Sequence, residues 1–148
     1  MKRNWYKFRI KYSKMLDSAK KKNVSVEFLV DAMSFTETEA RAIKTANEMI
    51  STRDFDIVAI SREAVSEIIR SKDDDKEEPW FKANVAIITL DDNTGEPKET
   101  PQTIYVQATD THEADKVLRD HMKDSISDWD IKSITKTKVI GALDYERK

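Results

Sequence analysis

Residues 5–12 read Trp5-Tyr6-Lys7-Phe8-Arg9-Ile10-Lys11-Tyr12, and the opening triplet returns 75 positions later as Trp80-Phe81-Lys82. In the first stretch Tyr6, Phe8, Ile10 and Tyr12 alternate with Lys7, Arg9 and Lys11. A period of two puts the aromatic and aliphatic side chains on one face of a strand and the cations on the other. In the second stretch Phe81, Ala83, Val85 and Ile87 hold the matching face. Ala86, Ile88 and Leu90 make its opposite face apolar as well, as expected of a strand covered on both sides.

Further matches follow in the same order. Leu29-Val30-Asp31-Ala32 answers to Tyr105-Val106-Gln107-Ala108, and Thr38-Glu39-Ala40 to His112-Glu113-Ala114. Phe55-Asp56-Ile57 and Ile60-Ser61 answer to Trp129-Asp130-Ile131 and Ile134-Thr135. The offsets run only from 74 to 76, which points to an internal duplication. The expected fold is α+β: two tandem strand-strand-helix-strand repeats, with antiparallel or mixed sheet, helices packed on a sheet face, and a pseudo-twofold relation between the copies. The whole of residues 1–148 is read as a single compact domain, with repeat 1 at 1–70, an acidic linker at 71–79 and repeat 2 at 80–148. One three-stranded unit is too small to stand alone, so the copies are expected to share a sheet or to pack back to back.

Within repeat 1, Val24, Val26, Phe28 and Val30 mark a second strand, reached through a basic link from Ser13 to Asn23. In repeat 2 the link is Asp91-Asp92-Asn93-Thr94-Gly95-Glu96-Pro97, rich in turn formers, followed by Ile104 and Val106. Ser34 followed three residues later by Glu37 predicts a capped helix start, and Asp110 with Glu113 repeats the spacing. The helical stripes are read as Ala40, Ile43, Ala46 or Asn47, Met49 and Ile50, and as Ala114, Val117, Leu118, His121, Met122 and Ile126. A third strand opens at Phe55 and at Trp129; residues 62–69 are read as its continuation in repeat 1, and residues up to 140 in repeat 2.

Composition narrows the chemistry. There is no cysteine, which removes thiolate catalysis, disulfides and Cys-ligated metals, and fits a cytoplasmic setting. Two glycines, Gly95 and Gly141, cannot build a phosphate-cradling loop. No Gly-flanked serine suggests a nucleophile elbow. His112 and His121 stand nine apart on one helix, the wrong spacing for a metal pair, and His121 reads as a packed or edge histidine. Asp91, Asn93 and Gly95 faintly match a calcium loop, but the twelfth position is Gln102, and a hairpin turn is the better reading. The carboxylates Asp73, Asp74, Asp75, Glu77 and Glu78 read as a solvated linker. The expectation is therefore a non-enzyme with no metal and no cofactor. No apolar run approaches a membrane span, and no membrane partner is expected.

Net charge is -2, but residues 1–70 carry +4 and residues 71–148 carry -6; residues 1–23 alone hold nine basic side chains against Asp17. An aromatic beside lysine and arginine on an open sheet face can stack a base and neutralise phosphate. The candidate ligand-binding residues are accordingly Trp5, Lys7, Arg9 and Lys11, with Trp80 and Lys82 at the matching places in repeat 2. Lys20, Lys21 and Lys22 lie in the following loop.

Taken with Tyr12, the Trp5-Tyr6-Lys7 opening, the run from Phe28 to Arg41 (Phe-Leu-Val-Asp-Ala-Met-Ser-Phe-Thr-Glu-Thr-Glu-Ala-Arg), Trp80-Phe81-Lys82-Ala83 and Tyr105-Val106-Gln107-Ala108 resemble an uncharacterised family of Bacteroides-type bacteria and their phages. The resemblance covers nearly the whole chain. It implies a phage-type accessory protein and supplies no catalytic residues. The expected function is non-catalytic binding of an anionic ligand, a nucleic acid or nucleotide, or of a host protein. The alternative is a homo-oligomeric, self-assembling protein in which the +4 and -6 halves meet their opposites in other copies.

Overall fold

The computed structural model describes residues 4–16, 20–50, 54–71 and 78–146. The chain is α+β, mostly strand, with two helices and two separate four-stranded mixed sheets. A single shared sheet is not formed. The elements are β1 (Asn4–Met15), β2 (Lys21–Ala32), α1 (Phe35–Met49), β3 (Phe55–Glu63), β4 (Glu67–Ile69), β5 (Trp80–Leu90), β6 (Pro97–Gln107), α2 (Thr111–Met122), β7 (Asp128–Lys136) and β8 (Val139–Leu143). Most of the acidic linker, residues 72–77, lies outside the described residues, and so do four of its carboxylates.

The chain folds as two units that are not its sequential halves. Unit 1 holds residues 1–63 with 138–148, and unit 2 holds residues 64–137. Its sheet in unit 1 has the order β3-β1-β2-β8, where β1 pairs antiparallel with β2 and β3, and β8 lies parallel to β2. Phe8, Ile10 and Val30, all fully buried, face Ala42 and Ala46 of α1. Phe8 and Phe28 stack with ring centroids 5.3 Å apart. Here the sheet supplies the bulk and the helix supplies small side chains.

That division of volume corrects the helical stripe read from sequence. The buried series on α1 is Thr38, Ala42 and Ala46, whereas Ala40 and Ile43 are exposed. On α2 the buried series is Ala114, Leu118 and Met122; Ile126 lies beyond the helix and is fully exposed. Both helix starts are as read. Ser34 Oγ accepts from the Glu37 N–H at 3.1 Å, and Asp110 Oδ1 from the Glu113 N–H at 2.8 Å. Counted from the two caps, Thr38 and Ala114 hold the same helical position and are both buried, whereas Ala40, paired with Ala114 by the sequence match, is exposed and two residues further on.

In unit 2 the order is β4-β6-β5-β7, with β5 antiparallel to β6 and β7, and β4 parallel to β6. Phe81, Ala83, Val85, Ile104 and Val106 form its core with α2. Pro97 and Pro101 fall on β6 but outside the Ile104–Val106 stretch that β4 covers, where a missing N–H breaks no ladder on that side. The third strands are shorter than read: Ala64–Ser66 separates β3 from β4, and residues 137–138 separate β7 from β8.

Candidate functional site

The cationic face of β1 is mostly neutralised by its own sheet. Across β2, Arg9 stands opposite Glu27, and its Nε and one terminal nitrogen reach Glu27 Oε2 at 3.2 and 3.0 Å. Glu27 is only 6% exposed. Lys7 pairs with Glu63 of β3 at 3.1 Å. Trp5 is half-buried opposite Asp31 and Glu63. In unit 2, Trp80 is 1% exposed and Lys82 is half-buried. Of the six residues read as ligand-binding, Lys11 is exposed, Trp5, Lys7, Arg9 and Lys82 are half-buried, and Trp80 is buried.

The basic character continues further along the hairpin. β3 begins at Phe55, opposite Tyr12, and β8 reaches only Glu27–Val30 of β2. Beyond them, Ser13–Met15 and Lys21–Asn23 pair with each other alone, as a two-stranded ribbon closed by the Leu16 N–H donating to the Lys20 carbonyl at 2.9 Å. Lys21 and Lys22 are thus on a strand and not in the loop assigned from sequence. Five exposed lysines, Lys11, Lys14, Lys20, Lys21 and Lys22, crowd this end, and none forms an ion pair among the described residues.

The register makes the crowding sharper. Lys14 lies directly opposite Lys22. Like charges facing each other across an antiparallel pair destabilise it. Met15 and Leu16 add exposed apolar surface at the same end. A groove of about 340 Å³ opens there, walled by Tyr12, Lys14, Met15 and Lys21 of the hairpin and by Met49 and Asp54.

The corresponding end of the β5–β6 hairpin is acidic. Asp91 Oδ1 accepts from the N–H groups of Asn93 at 2.8 Å and Thr94 at 3.1 Å, and these two bonds hold its carboxyl below the usual range. The turn reading of this loop is the one observed, with Gly95 at φ 73°. His121 is an exposed edge histidine whose Nε2 lies 2.7 Å from Glu67 Oε2.

The fold and site together define an α+β protein of two mixed sheets with one unusually basic hairpin. It belongs to the family described as a domain of unknown function (DUF4494), whose model matches residues 4–145. No curated protein and no solved structure matches the chain. Among the described residues, no helix is long and apolar enough to cross a membrane.

Proposed function

We propose that this chain is a non-catalytic binding protein that grips the phosphate backbone of a nucleic acid with the end of its β1–β2 hairpin. The observation that carries the reading is the Lys14–Lys22 cross-strand pair, set among further lysines that form no ion pair among the described residues. Folding gains nothing from such an arrangement, whereas a bound polyanion would relieve it. A two-stranded β-ribbon fits the major groove of a duplex, and protruding apolar side chains such as Met15 and Leu16 suit contacts to bases or sugars. Lysine without a fixed fork of donors favours backbone contacts over sequence readout.

The test is fluorescence anisotropy with a labelled 20-base-pair duplex and its single strand, comparing the wild type with the Lys14→Gln/Lys21→Gln/Lys22→Gln variant. Binding by the wild type and at least a tenfold loss in the variant is the expected result (about 1.4 kcal/mol). Equal binding by both proteins would remove the hairpin from the account.

The two sheets support a tandem duplication as the origin of the chain. Strand order and pairing sense agree between the sheets, and in each the first strand meets the third across a bulge, at Arg9/Ile10 and at Asn84/Val85. Bulges are specific features and seldom coincide by chance. Under this reading β4 and β8 are the fourth strands of their copies, each paired into the sheet built by the other copy. The hairpin ends are where the copies differ most in charge, as expected if one of them took on binding.

A second reading has one observation in its favour: the acidic β5–β6 end is complementary to the basic β1–β2 end, so copies could associate head to tail. Light scattering at low and high salt separates the two, because a monomer at low salt rules out self-assembly and leaves nucleic-acid binding untouched.

A further inference from the structure

The segment after β8 is seated on α1 by two ion pairs and a hydrogen bond. Lys44 Nζ lies 2.8 Å from Glu146 Oε1, and Arg41 Nε lies 3.2 Å from Glu146 Oε2. Each carboxylate oxygen therefore has its own cation, one helical turn apart on α1. A further guanidinium nitrogen of Arg41 donates to the Asp144 carbonyl at 3.1 Å, and the Tyr145 hydroxyl donates to Met33 Sδ at 3.0 Å. The Arg41 side chain is only 16% exposed, so its fork is held in place by packing. A cavity of about 520 Å³ opens beside this carboxylate, walled by Glu146 itself with Arg41 and Lys44 and by Ser34, Thr36, Glu37 and Ala40.

That volume lies within the range of sites that hold small ligands or peptide side chains. It is space left with Glu146 in place, so a longer segment has room beside the carboxylate. Glu37 is committed to the Met33 N–H at 3.4 Å as part of the helix cap, so it does not compete for the cations. The counterpart helix has no such pair: α2 presents Val117 and Asp120 at the positions that match Arg41 and Lys44 when the caps Ser34 and Asp110 are aligned. The clamp is a property of unit 1.

We infer that the Arg41–Lys44 clamp, with the cleft beside it, is a binding site for an acidic peptide segment carrying an aromatic residue beside its carboxylate, and that Asp144-Tyr145-Glu146 occupies the clamp in cis as a stand-in ligand. The tail then acts as a competitor that a partner's segment must displace. The Glu146 carboxyl lies below its ordinary range, chiefly through the Lys44 hydrogen bond and then the Lys44 and Arg41 charges, and Lys44 is raised for the reciprocal reason. Both groups are at the surface, so a competing segment can exchange with the tail.

Occupancy by the tail lowers the apparent affinity of an outside peptide in proportion to the fraction of open clefts. An occupancy of about nine in ten would make the gain on release about tenfold. The probe is a fluorescein-labelled, end-blocked peptide of the sequence Leu-Asp-Tyr-Glu-Arg, titrated into the full chain by anisotropy. Glu146→Gln is expected to bind it about tenfold more tightly than the wild type, and Glu146→Gln/Lys44→Met to lose that gain. Lys44 is half exposed, so its replacement leaves the fold intact. Equal affinity in the wild type and Glu146→Gln, or full binding retained without Lys44, would overturn the inference.

Discussion

Replacing Arg9 by methionine tests whether the cationic face of β1 is structural. Glu27 is 6% exposed and receives two hydrogen bonds from Arg9, at 3.2 and 3.0 Å on the same oxygen. Removing the guanidinium leaves a carboxylate in a largely dry site with its counter-charge gone. Breaking a fully buried pair in this way costs about 3–5 kcal/mol. The Arg9 side chain is 43% exposed, so solvent screens part of that loss, and about 2 kcal/mol is the expected destabilisation. At this chain length that corresponds to a fall in Tm of about 4–8 °C. Urea denaturation followed by tryptophan fluorescence measures it, since Trp5 lies on the same strand. Arg9→Met/Glu27→Leu, which removes both charges, is expected to recover most of the loss. A stability for Arg9→Met within about 0.5 kcal/mol of the wild type would refute the claim that this charge serves the sheet.

Other substitutions probe the fold and the clasp. Gly141→Ala sets a Cβ 3.1 Å from Phe28 Cε1, against a ring already stacked on Phe8, and is expected to cost about 1–3 kcal/mol by the same denaturation assay. Gly95→Ala meets no atom within 4 Å, yet its φ of 73° disfavours any side chain; a loss of about 1 kcal/mol is expected from backbone strain alone. The Glu146 clasp depends on pH in a defined sense. Its carboxyl titrates below the ordinary 4.5, so the contribution is complete above that value and is lost as pH falls through the lower, folded-state value. NMR signals of Tyr145 and the β8 amides should therefore stay constant from pH 7 to 5 and shift only in more acid solution, and the shift should vanish in Glu146→Gln.

Much of the fold was legible because its signals are local. Alternation from Tyr6 to Tyr12 defines a strand, and Ser34 with Glu37 marks a helix start whichever partner the helix later meets. The helix face was misread because α1 buries Thr38, Ala42 and Ala46, small residues that hydrophobicity weighs lightly, and exposes Ile43. The short strands β4 and β8 were hidden for another reason. Three to five residues carry no period, and their role comes from pairing with β6 and β2 far away in the chain.

The site divides in the same manner. The basic excess of residues 1–23 is visible in composition, and it does mark the hairpin. The neutralisation of Lys7 by Glu63 and of Arg9 by Glu27 follows from strand register, which depends on tertiary pairing. That Trp80 is buried while Trp5 is only half-buried was likewise beyond the reach of the two similar triplets, because similar sequence need not have similar surroundings. The Arg41–Lys44 clamp had no signal at all in sequence, since Glu146 lies 102 positions from Lys44.

The salt dependence of duplex binding tests the proposed phosphate contact of the hairpin most directly. Each lysine that neutralises a phosphate contributes about -0.9 to the slope of log K against log salt concentration. The slope for the wild type should therefore be steeper by about 2.7 than for the variant lacking Lys14, Lys21 and Lys22. Parallel lines for the two proteins would show that the hairpin lysines touch no phosphate.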